Sequence, residues 1–114
     1  MTNLNSLKLL FKDEQSKVGY LHSVFLFWDT GEDGNFKYFA DMVLSSCPYD
    51  PNNRKIVLKF IDVKNFNLNE VNGSLFVQVS IVDISANQME DINFSVKEEE
   101  NELFSFYCKS FVFE

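Results

Sequence analysis

The chain has 114 residues, 46% of them hydrophobic, and its 17 acidic and 10 basic side chains give a net charge of −7. This length and composition predict one globular domain over residues 1–114. A negative field repels nucleic acid and anionic membranes and attracts basic partners, so we expect neither direct nucleic-acid binding nor membrane binding. No segment of the sequence approaches the roughly 20 apolar residues of a membrane helix, and the first residues lack the pattern of a secretion signal, which predicts a cytoplasmic location.

The N-terminal segment has apolar residues at spacings of three and four, at Leu4, Leu7, Leu10 and Phe11. This spacing predicts a short helix with one apolar face. A strand over residues 7–11 is the alternative, because a polar run follows it. From Val18 onward the period of the apolar residues changes to two, which is typical of β-strands.

The first strand is predicted over Tyr20–Asp29, where branched and aromatic residues dominate. Alternation divides its apolar residues between two faces, with Val24, Leu26 and Trp28 on one and Phe25 and Phe27 on the other. The polar segment 30–35 contains two glycines and predicts a turn, so that a second strand over Phe36–Cys47 completes a hairpin. Since a chain this rich in phenylalanine must bury most of its rings, we expect Trp28 and Tyr107 in the core.

Four further strands are predicted from alternating apolar residues, over Lys55–Lys64, Leu75–Ile84, Ile92–Val96 and Leu103–Phe113. An ordered loop over Pro48–Asn53 ends the second strand, and a charged turn over residues 98–102 precedes the last one. Apolar side chains are expected to anchor the bend after the third strand, namely Phe66, Leu68 and Val71. The fold class is therefore mainly β, an antiparallel sheet or sandwich of about six strands with a short N-terminal helix as an additional possibility.

The sequence shows no constellation of catalytic or metal-binding residues. His22 is the only histidine, and its neighbour Ser23 points to the opposite face of a strand, so the two cannot act as base and nucleophile. Cys47 and Cys108 are far apart in sequence and are expected to be buried thiols. The carboxylates of the 30–35 turn lack the spacing of an EF-hand. We predict that the protein is not an enzyme and has no metal or other cofactor.

Two segments carry a resemblance to a known family. The first is Leu-His-Ser-Val-Phe-Leu-Phe-Trp-Asp at residues 21–29, and the second runs from Val57 to Leu68 with an alternating strand that leads into a bend. Their order resembles the immunity protein fifty family, small β-rich bacterial proteins that neutralise polymorphic toxins. His22, Trp28 and Asp29 match this pattern, and we interpret them as fold-defining. The acidic loop 31–35 and the C-terminal end at Glu114 depart from this pattern. The resemblance therefore does not identify which edge of the protein binds the toxin.

The resemblance implies a cytoplasmic immunity protein that binds a cognate toxin domain and blocks it sterically. An acidic surface suits a basic toxin such as a nuclease, with charged loops as the expected contact points. The candidate partner-binding residues are Glu32, Asp33, Tyr49, Glu98, Glu99, Glu100 and Glu102. Two alternatives are a phage-encoded inhibitor of a defence nuclease and a small glycan-binding or ligand-binding β domain. The latter would use exposed aromatic rings, for which the candidates are Trp28, Tyr38, Tyr49 and Tyr107.

Overall fold

A computed structural model describes residues 19–45, 55–69, 76–100 and 102–114 of the chain. These residues form eight strands, β1 (Tyr20–Thr30), β2 (Phe36–Ser45), β3 (Lys55–Ile61), β4 (Lys64–Leu68), β5 (Val79–Asp83), β6 (Phe94–Glu98), β7 (Phe104–Cys108) and β8 (Ser110–Phe113). A 3₁₀ helix at Ser85–Asn87 follows β5. The strands form two antiparallel sheets, the first in the order β1-β2-β3-β8 and the second in the order β4-β7-β6-β5. The mainly β prediction is confirmed.

The predicted hairpin of β1 and β2 is present and contains one irregularity. Leu21 pairs with Leu44 and Ser23 pairs with Val43, so His22 is an extra residue in a β-bulge. The bulge moves the inward-facing positions of β1 from odd to even numbers. In the connecting turn, Gly34 has φ +83°, a left-handed conformation that glycine adopts without steric cost.

The third and the last predicted strands are each divided in two, which corrects the expected number of strands. The segment predicted as Lys55–Lys64 leaves the first sheet after Ile61 and enters the second as β4. The segment predicted as Leu103–Phe113 crosses in the opposite direction at Lys109. These two segments run antiparallel as one bent ribbon, in which the Lys109 N–H donates to the Ile61 carbonyl oxygen at 3.0 Å. A ribbon that turns a corner in this way joins the two sheets of a sandwich.

At the corner, Asp62 has φ +59° and Asn65 has φ +54°, left-handed conformations that accompany the change of direction. Because of this corner, the segment predicted as the third strand pairs with two strands. Ile61 of β3 pairs with Ser110 of β8, and Lys64 of β4 pairs with Tyr107 of β7. The predicted anchors of this region differ from expectation, because Leu68 is exposed and only Phe66 is partly buried against the core. Val71 lies outside the described residues.

The core lies between the two sheets and combines five phenylalanine rings with aliphatic side chains. Phe60 contacts Phe106 in an edge-to-face arrangement with ring centroids 4.9 Å apart, and Phe94 meets Phe111 in the same way at 5.1 Å. Such pairs contribute about 0.5 to 1.5 kcal/mol beyond their buried area. Buried side chains alternate along the segments predicted as strands, at Ile56, Leu58, Phe60, Val77, Val79, Ile81, Phe104, Phe106 and Cys108.

Some sequence predictions fall on parts of the chain that are not described. The N-terminal helix, the Pro48–Asn53 loop and Cys47 lie outside the described residues. The predicted strand Ile92–Val96 is displaced by two residues and is observed at Phe94–Glu98. Within the described ranges, no helix has the length and apolar character needed to span a membrane.

Burial raises the pKa of the Cys108 thiol to about 12 from its ordinary value of 9.0, and the charge of Asp62 adds to the shift. We therefore expect Cys108 to resist a thiol reagent such as Ellman's reagent in the folded protein and to react fully in guanidinium. The measurement uses Cys47→Ser, so that one thiol reports. Fast labelling under native conditions would contradict the buried position.

The same shift predicts a pH dependence of stability. Above about pH 9 the unfolded thiol releases its proton, whereas the folded thiol keeps its proton until about pH 12. The unfolded state is then favoured, so the contribution of Cys108 to stability falls as pH rises from 9. Urea unfolding at pH 7 and pH 10 should show a smaller loss for Cys108→Ala than for the parent protein. Equal losses would show that other groups account for the alkaline destabilisation.

Candidate partner-binding surface

The end of the β1–β2 hairpin projects beyond the rest of the sandwich because its neighbour stops short. The last pair between β2 and β3 joins Phe39 to Ile61, after which the chain turns toward the second sheet. One further contact follows, in which the Val63 N–H donates to the Tyr38 carbonyl oxygen at 2.8 Å. Residues 28–30 and 36–38 pair with each other at the free end of the hairpin.

Three aromatic side chains lie together on one face of this projecting end. Trp28 is paired with Tyr38 across the ladder, and its ring meets that of Phe36 edge-to-face at 5.0 Å. The exposed fractions are 62% for Trp28, 73% for Phe36 and 54% for Tyr38. We call these three residues the aromatic hairpin face. Lys37 joins them around an open groove of about 290 Å³.

The aromatic hairpin face continues the side of the sheet that faces the core. Leu26 pairs with Ala40, and alternation places both on the same side as Trp28 and Tyr38. Ala40 is completely buried, so the side that is core at the middle of β2 becomes solvent-exposed at its first residues. The second sheet covers the former part and does not extend over the latter.

The prediction that Trp28 lies in the core is therefore wrong. Alternation identified its face correctly, but the covering layer ends before reaching it. The other residues of the matched motif, His22 and Asp29, also have exposed side chains. His22 occupies the bulge, and Asp29 accepts a hydrogen bond through Oδ1 from the Thr30 N–H at 2.7 Å. Tyr107 is half-buried on β7, and Tyr49 lies outside the described residues.

The turn at the tip of the hairpin carries the first predicted acidic pair. The Asn35 N–H donates to Asp33 Oδ1 at 3.0 Å, and Lys37 Nζ lies 3.5 Å from Asp33 Oδ2. The backbone N–H of Asn35 holds the pKa of the Asp33 carboxyl below its usual value, and the positive charge of Lys37 lowers this pKa further, against an opposing effect of desolvation. Asp33 thus orders the turn as well as carrying charge, whereas Glu32 is simply exposed.

The second predicted acidic patch, at the β6–β7 connection, includes one residue that is not on the surface. Glu98 is only 2% exposed, which corrects its assignment as a partner-binding residue. Its carboxylate accepts hydrogen bonds from the backbone N–H groups of Gln78, Glu100 and Leu103 at 3.1, 2.7 and 3.2 Å. The exposed members of the patch are Glu99, Glu100 and Glu102. Glu98 holds the loop that presents them.

The two acidic patches belong to different sheets. Glu32 and Asp33 lie in the turn of the first sheet, and the other patch connects two strands of the second sheet. Phe104, which follows that patch, pairs with Leu68 at the end of β4 remote from the corner.

Among the described residues, no three histidine, cysteine or carboxylate side chains are grouped closely enough to hold a metal ion.

Phe36 is the member of the aromatic hairpin face that sequence reasoning missed. The residue directly follows the 30–35 turn, and its spacing of two from Tyr38 places both on one face. Trp28 precedes the same turn by two residues, so a hairpin closed by this turn places it beside the other two rings. The hairpin register could therefore have predicted the cluster from the sequence. The missing information was that all three rings are exposed.

The described residues form a β-sandwich with an exposed aromatic face and exposed acidic loops. Comparison with family models identifies the class of protein: the model of Immunity protein PIM8 matches residues 2–114, so the chain belongs to this family of immunity proteins. The match confirms the predicted class, and the particular family is PIM8 rather than the immunity protein fifty family. Searches of curated proteins and of solved structures gave no match.

Proposed function

We propose that this protein binds a toxin domain encoded by a neighbouring gene and blocks it by covering its active cleft in the cytoplasm, without catalysis. The observation that carries the proposal is the family match, which extends over nearly the whole chain and brings with it a toxin as partner. An inhibitor of this kind needs a stable scaffold and a complementary surface. The two packed sheets supply the scaffold, and the exposed hairpin and loops supply candidate contacts.

The charge of the protein favours a basic toxin, with a nuclease as the leading candidate. A nuclease cleft is positively charged because it binds the phosphate backbone of nucleic acid. The net charge of −7 and the exposed carboxylates of Glu32, Glu99, Glu100 and Glu102 complement such a cleft. Opposite charge would speed the encounter and disfavour partners of the wrong sign.

Co-expression tests the proposal directly. The toxin domain encoded beside this gene is induced in a bacterial host with and without the immunity protein, and growth is followed. We expect growth arrest with the toxin alone and rescue with both genes, whereas a toxin of an unrelated family should not be neutralised. Absence of rescue with the neighbouring toxin would overturn the proposal.

The electrostatic part makes a separate kinetic prediction. Glu32→Lys and the double variant Glu99→Lys with Glu100→Lys should slow association with the toxin about tenfold at low salt, and the difference should shrink at physiological salt, where the Debye length is about 8 Å. Stability should change by no more than about 0.5 kcal/mol, because these side chains are exposed. Asp33 and Glu98 are left unchanged because both bind backbone N–H groups.

Stopped-flow association rates at two salt concentrations give the measurement. Lys97→Glu serves as the control of opposite sign, because Lys97 lies on β6 next to the acidic loop and the change adds negative charge. This variant should accelerate association if the electrostatic field of the protein guides the encounter. Rates independent of both charge and salt would assign the acidity to solubility alone.

A further inference from the structure

We propose that the toxin covers the aromatic hairpin face, and that Trp28, Phe36 and Tyr38 form the energetic centre of the interface. This proposal rests on the proposed function. It specifies which surface of the protein binds the toxin and which chemical groups the toxin presents to that surface. The partner is a basic surface of the toxin that places an apolar or guanidinium group against these rings. The acidic residues then act at the rim.

The first argument is the exposure of the rings. All three have more than half of their surface in water, although they lie next to each other on a face that is core elsewhere. A contiguous exposed apolar surface in a soluble protein marks an interaction site more often than chance. Tryptophan and tyrosine are also the residues most enriched among those that dominate binding energy.

The second argument is that the face is held rigid before binding. Trp28 and Tyr38 are ladder partners, and the edge-to-face contact with Phe36 restricts the rings further. Lys37 packs its stem within 3.0 Å of the position that a Cβ on Gly31 would occupy, so the turn and the hairpin end form one closely packed unit. A rigid surface loses little conformational entropy on binding.

The third argument is the extent of the surface. A second groove of about 250 Å³ lies between Leu26 and Tyr38 of the hairpin and Val63, Asn65 and Phe66 of the corner. Tyr38 lines both grooves, so the apolar surface runs from the hairpin tip to the corner. A partner segment lying along it would contact both sheets.

Charge decides between a toxin and a second copy of this chain as the occupant. Glu32 and Asp33 lie in the turn at the hairpin tip, and Lys37 is the one cation in residues 29–37. Two copies facing each other through this surface would bring the carboxylates together, in addition to the repulsion of two chains of charge −7. A basic partner meets the opposite situation, and an arginine side chain can stack on Trp28 or Tyr38 while pairing with the rim.

The test compares variants on the two faces of the β1–β2 hairpin. Trp28→Ser and Tyr38→Ser remove rings from the aromatic hairpin face, and Phe25→Ser removes a ring that is at least as exposed, at 64%, from the opposite face. Titration calorimetry uses the toxin domain encoded beside this gene, separated from its complex under denaturing conditions and refolded. We expect Trp28→Ser and Tyr38→Ser to weaken binding at least about 30-fold, as truncation of an interface centre does, and Phe25→Ser to weaken it less than about threefold.

The outcomes separate the two proposals. If the unmodified protein does not bind the toxin, the proposed function fails and the docking assignment falls with it. If it binds and the Trp28 and Tyr38 variants bind equally well, the proposed function stands and the assignment is overturned. Equal weakening by Phe25→Ser, or a dimer of the free protein that Trp28→Ser abolishes, would also overturn it.

A readout without substitution guards against loss of folding in the variants. Trp28 is the only tryptophan, so 5-fluorotryptophan incorporated into the immunity protein gives a single ¹⁹F resonance. Its shift and its sensitivity to a soluble paramagnetic agent should change when the unlabelled toxin binds. An unchanged, solvent-accessible resonance in the complex would place the interface elsewhere.

Discussion

Phe60→Ala is expected to lower the free energy of unfolding by about 3 to 5 kcal/mol, a loss typical of a large cavity in a packed core. Phe60 is 1% exposed and meets both Phe106 and Phe111, so its removal takes away one ring contact in each of the two sheets. A loss of this size is a large part of the roughly 5 to 15 kcal/mol that typically stabilises a domain. Urea unfolding followed by circular dichroism measures it.

The matched control is Trp28→Ala, which removes a larger ring from the exposed end of the hairpin. We expect a cost of less than about 1 kcal/mol, because the ring is already largely in water and the contact with Phe36 is an exposed one. Residue type alone suggests a larger loss of stability for the tryptophan than for the phenylalanine, and we expect the reverse. A Trp28→Ala loss as large as that of Phe60→Ala would show that the hairpin end is covered by packing after all.

Glu98→Ala is expected to destabilise the protein by about 3 to 5 kcal/mol, although a glutamate in an acidic run usually contributes little. The substitution removes the acceptor of three backbone hydrogen bonds, and each buried donor left without a partner costs about 1 to 3 kcal/mol. The expected total is below the sum of the upper values because water can reach Gln78 and Glu100, both of which are exposed. Chemical denaturation gives the energy, and hydrogen exchange should show lost protection at Gln78 and Leu103.

Two variants give this prediction its controls. Glu99→Ala changes the adjacent, exposed carboxylate and should alter stability by no more than about 0.5 kcal/mol. Glu98→Gln keeps one carbonyl acceptor and should have an intermediate effect, because its amide nitrogen cannot accept the remaining hydrogen bonds. If Glu98→Ala and Glu99→Ala were equally mild, water would be replacing the carboxylate at all three donors.

The contrast between Glu98 and its neighbours shows a limit of sequence reasoning about charge. In the sequence, residues 98–100 are three identical glutamates, and this run predicts one solvated patch. Their difference arises from Gln78, twenty positions upstream, and from Leu103 across the turn, whose N–H groups converge on one carboxylate only. No local pattern marks which glutamate will meet them.

The divided strands have a related explanation. Apolar residues continue through Ile61 and Val63 without a glycine or proline to indicate a break, so the pattern predicts one long strand. The break depends on which partner each half pairs with, and both halves pair with the same distant segment, residues 104–113, as it bends from one sheet to the other. Pairing over such a separation in sequence leaves no mark on the alternation itself.

The sequence predicts the features that arise from neighbouring residues. Alternation defined the strands and the two faces of the β1–β2 hairpin, the polar turn at 30–35 joined them, and short motifs indicated an immunity protein. Tertiary structure alone decided which part of a face is covered. Trp28 and Ala40 lie on the same side of one hairpin, yet one is exposed and the other is buried, because β3 departs from the sheet at Ile61 and the second sheet reaches no further. Burial depends on the extent of a layer built from distant segments, and that extent makes the end of this hairpin a surface available for binding.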